Sequence, residues 1–91
     1  MVLTYKNKFN KHYGFTKDTS HSIDDISKIS GYNLRGLKTI LSKGEGAYYS
    51  NPKSVRPTVH SATQWGLARV YSAVMGGKAS KIDAHHLIYE N

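Results

Sequence analysis

The sequence predicts a small, mostly α-helical domain with a helix-turn-helix-like pair, a long ordered loop and a buried central helix. Two observations predict this class. Apolar residues recur at three- and four-residue spacing in successive stretches, and residues that cap helices precede several of these stretches. The chain has 91 residues, enough for one domain with a modest core. We therefore expect residues 1–91 to fold as a single domain.

Composition points to a basic protein of the cell interior. The chain carries a net charge of +7, a pI of about 9.7 and no cysteine, so the fold uses neither a disulfide nor a thiolate metal site. No apolar run approaches the roughly 20 residues of a membrane span, and the first residues lack the apolar core of a secretory signal. Such charge suits nucleic acid, an anionic membrane surface or an acidic protein. We expect a protein that is not secreted, does not enter a membrane and needs no cofactor.

The first element is a basic N-terminal arm or helix in residues 1–15. Tyr5, Phe9 and Tyr13 recur at helical spacing, and lysines fall between them. The pattern ends at a glycine, and residues 16–22 are polar and loop-like.

Residues 22–43 resemble a helix-turn-helix pair. Ser22 can cap the first helix, with an acidic residue three positions on, and Gly31 permits the left-handed turn that ends it. Asn33 can cap the second helix, and Leu37 would seat that helix on the first. An ordinary helical hairpin is the alternative.

The second helix of this pair is basic on its outer face. If the pair docks on DNA as helix-turn-helix motifs do, this face enters a groove, and Gly36 would allow close backbone approach. Gly44 is expected to stop the helix. The residues offered to the groove are Arg35, Lys38, Thr39 and Lys43.

Residues 44–60 are predicted to form a long ordered loop, with a short hairpin within 46–59 as an option. Loops of this length inside compact domains are usually functional or disordered, and the valines and tyrosines of this one disfavour disorder. Gly44 and Gly46 would fix its backbone together with two prolines. Proteins hold single-stranded nucleic acid by stacking aromatic side chains on bases and pairing cations with phosphates. The alternative is that one tyrosine packs into the core and the two prolines only form turns. The side chains displayed for binding are Tyr48, Tyr49, Lys53 and Arg56.

Residues 61–76 are predicted to form a buried central helix. Ser61 begins a capping box that ends at Gln64, and apolar residues then cover nearly the whole circumference of the helix. Trp65 is expected to lie at the centre of the core packing. Arg69, four residues later, would form a cation–π pair with its indole ring.

Arg69 lies on a helix that should be buried, so its charge needs an acceptor. The candidates are Asp83, Glu45 and carbonyl groups of the loop, and the expected role of Arg69 is structural. A short C-terminal helix is expected in residues 80–90.

No catalytic residue and no metal ligand is assigned. The chain lacks a paired-carboxylate motif, a nucleophile elbow and a P-loop. His85 and His86 are neighbours in sequence and do not face each other on a helix, so they do not share a metal. A small enzyme acting on nucleic acid around Glu45 and His60 is kept as an alternative, because Glu45 lies between two glycines in a segment that also carries basic residues.

Most of the chain resembles an uncharacterised family of small basic domains. The motifs are GEGAYYSNP in residues 44–52, SVRP in 54–57, QWGLARVYS in 64–72 and GGKA in 76–79. They are similar to the pattern G-x-G-A-[YF]-[YF]-S-[NS]-P-x-S-x-R-P, followed by W-x-x-A-R-[VL]-Y-S and G-G-K-A. This pattern belongs to a domain of unknown function in large double-stranded DNA viruses of algae and protists and in tailed phages. The resemblance implies a viral source and an uncharacterised activity.

The expected function is non-enzymatic binding of nucleic acid, with DNA the expected form, through phosphate contacts from the basic helix and loop. Lys78 adds a further phosphate contact, and Arg35 is the expected base or groove contact. The alternative that the resemblance raises is a structural protein of the virion, either a minor capsid or a genome-associated component, with capsid proteins as partners. The nucleic-acid-binding function and the structural virion function both imply a location in the virion or in the host nucleus or cytoplasm.

Overall fold

The computed structural model describes residues 4–50 and 61–88. This part of the chain is mostly helical, which confirms the predicted fold class. Its elements are α1 (Tyr5–Tyr13), α2 (Ile23–Ser30), α3 (Leu34–Ser50), α4 (Ala62–Val74), α5 (Lys78–Ile82) and a short 3₁₀ helix (Ala84–His86).

Helix α1 is the basic N-terminal helix, and both of its ends are capped by local side chains or glycine. The Thr4 hydroxyl accepts a hydrogen bond from the Asn7 amide N–H at 3.1 Å, and the Asn7 side chain accepts from the Thr4 N–H at 3.4 Å. Gly14 ends the helix in the left-handed conformation, with φ of 82°. Phe9 is fully buried and anchors α1 in the core.

A buried asparagine fixes the segment between α1 and α2. The Asn10 Nδ2 donates to the carbonyl oxygens of Lys17 at 2.8 Å and Thr19 at 3.0 Å. Its Oδ1 lies 2.6 Å from the His21 Nε2. Asn10 has no exposed surface, so these bonds replace the water that its side-chain amide would otherwise bind.

Three predicted caps of the α2–α3 pair are present: Ser22, Gly31 and Asn33. Ser22 accepts a hydrogen bond from the Asp25 N–H at 3.2 Å. Gly31 ends α2 with φ of 85°, and Asn33 caps α3 by accepting from the Gly36 N–H at 3.1 Å.

Helix α3 is longer than predicted, and the expected stop at Gly44 is wrong. The helix continues through Gly44 and Gly46 to Ser50, a length of 17 residues, so the first seven positions assigned to the loop are helical and cannot form the suggested hairpin. Gly44 is buried where α3 crosses α4: a Cβ on Gly44 would lie 2.7 Å from the Gly66 Cα. The glycine therefore serves close helix packing rather than helix termination. The remaining loop positions, 51–60, lie outside the described residues.

Helix α4 is the centre of the domain and contacts α1, α3 and α5. Ser61 caps it by accepting from the Gln64 N–H at 3.0 Å. The helix ends at Val74, two residues before the predicted limit, and Gly76 follows with φ of 77°. The buried core joins α4 to its neighbours and consists of Phe9, Ile26, Leu37, Ile40, Val70, Tyr71, Ala73 and Ala79.

The predicted C-terminal helix is two short segments. Helix α5 begins at Lys78 and ends at Ile82, and the 3₁₀ helix follows it. Asp83 lies between them and is fully buried, while residues 89–91 lie outside the described part. Within the described ranges, every helix is too short or too polar to cross a membrane.

Candidate nucleic-acid interface

The solvent side of α3 gathers most of the predicted binding residues. At 3.6 residues per turn, positions 35, 38, 39, 43 and 49 fall on one side of the helix. The opposite side carries Leu37, Ile40 and Gly44, all buried. We call the outward set the α3 basic face; it consists of Arg35, Lys38, Thr39, Lys43 and Tyr49.

Two cations of this face are available to an external ligand. Arg35 and Lys38 are exposed, and neither takes part in an ion pair or side-chain hydrogen bond among the described residues. The Thr39 hydroxyl donates to the Arg35 carbonyl oxygen at 3.0 Å, so it is already used within the helix.

The acidic residue of α3 is hydrogen-bonded to α4. Glu45 is half-buried, and its Oε2 accepts a hydrogen bond from the Thr63 hydroxyl of α4 at 3.3 Å. A Cβ on Gly66 would lie 3.1 Å from the Glu45 Cγ, which places the stem of Glu45 in the α3–α4 contact. The Glu45 carboxylate is therefore engaged with α4.

The two tyrosines assigned to the loop lie on the last turns of α3. Tyr49 leaves 76% of its surface exposed, whereas Tyr48 is half-buried. Their ring centroids are 5.4 Å apart, with the planes at 87°, so Tyr48 supports Tyr49 edge-on. Tyr49 thus ends the α3 basic face with an exposed aromatic surface.

Lys43 is shared between this face and a buried ion pair. The Arg69 Nε and Nη2 donate to the Asp83 Oδ2 at 2.7 Å and Oδ1 at 3.0 Å. The Lys43 Nζ lies 3.7 Å from the same Oδ1. Of the acceptors considered for Arg69, the structure selects Asp83, and no cation–π contact joins Arg69 to Trp65 within the described ranges.

The geometry of this pair sets its protonation. The hydrogen bond from Arg69 holds the pKa of the Asp83 carboxyl below its ordinary value, while burial opposes that shift and the charges of Arg69 and Lys43 add to it. The same hydrogen bond raises the pKa of Arg69, against the opposing effect of burial. Arg69 and Asp83 are therefore both charged at neutral pH. Two cations face one carboxylate, which leaves positive charge where α3 meets α4.

His86 lies beside this pair. Its Nε2 is buried without a hydrogen-bond partner in the described structure, and burial, followed by the charges of His85 and Lys43, lowers the pKa of its ring. The His86 backbone occupies the space beside Gly36, where a Cβ would meet the His86 carbonyl oxygen. Gly36 therefore packs inside the protein, and the prediction that it admits nucleic acid is wrong. Among residues 4–50 and 61–88, no three His, Asp or Glu side chains cluster as a metal site would require.

The structure does not bring all predicted contacts to one face. Lys78 begins α5 and is exposed there, on a different element from the α3 basic face. Lys53, Arg56 and His60 lie outside the described residues. The predicted convergence of loop and helix cations stays a prediction.

Sequence reasoning missed two contacts that shape the site. One is the crossing of Gly44 with Gly66, which lets α3 continue; a glycine inside the apolar α4 pattern was the signal available for it. The other is the approach of Lys43 to Asp83, which joins residues 40 positions apart and leaves no local signal.

Comparison with known proteins places the chain in a family without assigning an activity. No similar protein was found among curated proteins, and no solved structure matches. The model of one family matches residues 2–87, nearly the whole chain. The chain belongs to the family of unknown function DUF5824.

Proposed function

We propose that this protein is a non-enzymatic nucleic-acid-binding domain that contacts phosphates through the α3 basic face. The observation that carries the proposal is the exposed pair Arg35 and Lys38, with Lys43 on the same side of the helix and the Glu45 carboxylate hydrogen-bonded to α4. Cations collected on one helix are the electrostatic footprint of nucleic-acid binding.

The α2–α3 arrangement supports a groove-docking mode. In helix-turn-helix proteins, residues near the N-terminus of the second helix contact base edges. Arg35 is the second residue of α3, where it would reach a base edge, and Lys38 and Lys43 would contact flanking phosphates. Arg35 and Lys43 lie about 12 Å apart along the helix axis, a span comparable with the width of a major groove.

The partner would be duplex DNA in this mode, held mainly by electrostatics. Each phosphate contact releases condensed counterions, so affinity falls steeply as salt rises. Binding that is insensitive to salt would be incompatible with the proposal.

The test is fluorescence anisotropy with a labelled blunt duplex at low and moderate salt. Arg35→Ala/Lys38→Ala should weaken binding by roughly 10-fold or more and lower the salt slope by about 1, because the base-edge contact of Arg35 and the phosphate contact of Lys38 are lost. Lys11→Ala/Lys17→Ala removes the same charge from exposed positions in α1 and the segment after it and should change affinity much less. Equal losses in both variants would show that net charge, not the α3 basic face, governs binding.

The viral source stays part of this proposal because it comes from the motif resemblance. In a DNA virus, a domain that binds nucleic acid would associate with the genome, in the particle or in the infected cell. Fractionation of purified particles tests this location. Release of the protein with the genome supports the proposal, and release with the shell favours a capsid role.

A further inference from the structure

A cleft of about 320 Å³ lies between α1, α4, α5 and the C-terminal part of α3. We call it the Trp65 cleft. Its volume is in the range of small-molecule sites. Most of its wall is apolar or aromatic and consists of Tyr5, Ala47, Trp65, Ala68, Ala79 and Ile82.

The charged residues at this cleft are cationic. Lys78 and Arg69 line it, and none of its described lining residues is acidic. The Lys78 side chain makes no hydrogen bond or ion pair among the described residues, so its ammonium group is available to an anion. Ile82 keeps 61% of its surface exposed at the same place. The cleft therefore suits a ligand with a flat apolar body and a negative charge.

The cleft is connected to the α3 basic face. Arg69 lines the cleft and binds Asp83, and the same Asp83 oxygen lies 3.7 Å from Lys43 of that face. Two cations and one carboxylate leave a net positive charge along this path. A nucleic acid that contacts both Lys43 and the cleft would meet positive charge at each place.

We propose that the Trp65 cleft binds an unpaired nucleobase, with the adjacent phosphate on Lys78, so that the preferred ligand is a duplex with a single-stranded overhang. An aromatic wall combined with cations is the recurring arrangement for unpaired nucleotides. An apolar side chain of a protein partner would occupy the same cleft. Unlike a nucleotide, it would not supply a phosphate to Lys78. This inference rests on the proposed nucleic-acid function of the α3 basic face.

Trp65 is the single tryptophan of the chain, so its fluorescence reports occupancy of the cleft directly. The experiment compares a blunt duplex with the same duplex carrying a short single-stranded overhang, by anisotropy and by Trp65 emission. The overhang should bind about 5-fold or more tightly, since one stacked base contributes ~1 kcal/mol or more. Only the overhang should quench Trp65.

Lys78→Gln should weaken binding of the overhang duplex more than binding of the blunt duplex, and so reduce the advantage of the overhang. Lys81→Gln is the matched control, because Lys81 is exposed on the same helix and does not line the cleft. It should preserve the preference. Circular dichroism melts of both variants establish that the fold is retained.

The outcomes separate the two proposals. Equal binding of both duplexes without quenching overturns the cleft inference and leaves the α3 basic face intact. Quenching by an acidic peptide but not by the overhang also overturns it, in favour of a protein partner. Absence of binding to either duplex overturns the proposed function and the cleft inference together.

Discussion

Gly44 of α3 and Gly66 of α4 touch where the two helices cross: a Cβ on Gly44 would lie 2.7 Å from the Gly66 Cα. A Cβ on Gly66 would in turn lie 2.7 Å from the Leu41 carbonyl oxygen. Backbones this close leave no room for a methyl group. The crossing therefore holds α3 against the centre of the domain along the side opposite its basic face.

Replacement of Gly44 should destabilise the protein. Gly44→Ala places a methyl group against backbone of α4, and overpacking of this kind costs about 1–3 kcal/mol. The matched control is Gly46→Ala in the same helix, where a Cβ meets nothing within 4 Å. Gly46→Ala should stabilise by up to about 1 kcal/mol, because alanine is the better helix former.

Chemical denaturation measures both variants. A Gly44→Ala protein as stable as Gly46→Ala would show that the helices do not approach each other at this glycine.

Loss of the Asp83 carboxylate should also destabilise the fold. Asp83→Asn leaves the Arg69 guanidinium without its charged acceptor, and breaking a buried pair costs about 3 kcal/mol. The expected loss of unfolding free energy is at the lower end of the range for buried pairs, because the Arg69 side chain keeps 25% of its surface exposed. Asp24→Asn, on the surface of α2, should cost less than about 1 kcal/mol. Equal effects in thermal unfolding would contradict a structural role for the pair.

The same pair predicts the direction of an acid effect. Because Arg69 holds the pKa of Asp83 below its ordinary value in the folded protein, the unfolded chain takes up a proton first as pH falls. The contribution of Asp83 to stability is therefore complete above the ordinary carboxyl pKa of about 4 and is lost as pH falls below it.

In a pH series of unfolding free energies, Asp83→Asn should flatten the acid limb relative to the wild type. An unchanged slope between the two proteins would show that Asp83 is not preferentially ionised in the folded state.

The Asn10 side chain should be required for stability even though it is polar. Asn10→Ala removes the partner of the Thr19 carbonyl oxygen and of the buried His21 ring, whereas the Lys17 carbonyl oxygen keeps the Asn7 Nδ2 as a donor. Each buried polar group left unpaired costs about 1–3 kcal/mol. Lys11→Ala, the neighbouring exposed position, should be close to neutral. Hydrogen exchange of the amides of residues 15–22 checks whether this segment loosens, and unchanged protection would count against the network.

Local signals were sufficient to predict most helix boundaries. Ser22, Asn33 and Ser61 cap the helices that they were expected to cap, because a cap bond joins residues only three positions apart. Gly31 adopts the expected positive φ for the same local reason. The prediction that Gly44 ends α3 is wrong, because a glycine can either end a helix or lie inside one. Whether it ends one or lies at a crossing depends on Gly66, a residue of another helix.

The site was predictable only where one helix carries it. The spacing of Arg35, Lys38 and Lys43 places them on one side of α3 by helical geometry alone. The acceptor of Arg69 could not be selected from sequence, because Asp83 lies 14 residues away and reaches it through packing of α4 with the C-terminal segment. The Trp65 cleft has no sequence signature, since four separate helices line it.

The most direct test of the central claim is an NMR titration of the isotope-labelled protein with a short duplex, which maps perturbed amide resonances onto the chain. At 10.2 kDa the protein suits this measurement. We predict that the largest shifts occur at the amides of Arg35, Lys38, Thr39 and Lys43, and that they reverse when salt is added. Shifts confined to α1 and the segment after it, with α3 unperturbed, would contradict the assignment of the α3 basic face as the nucleic-acid interface.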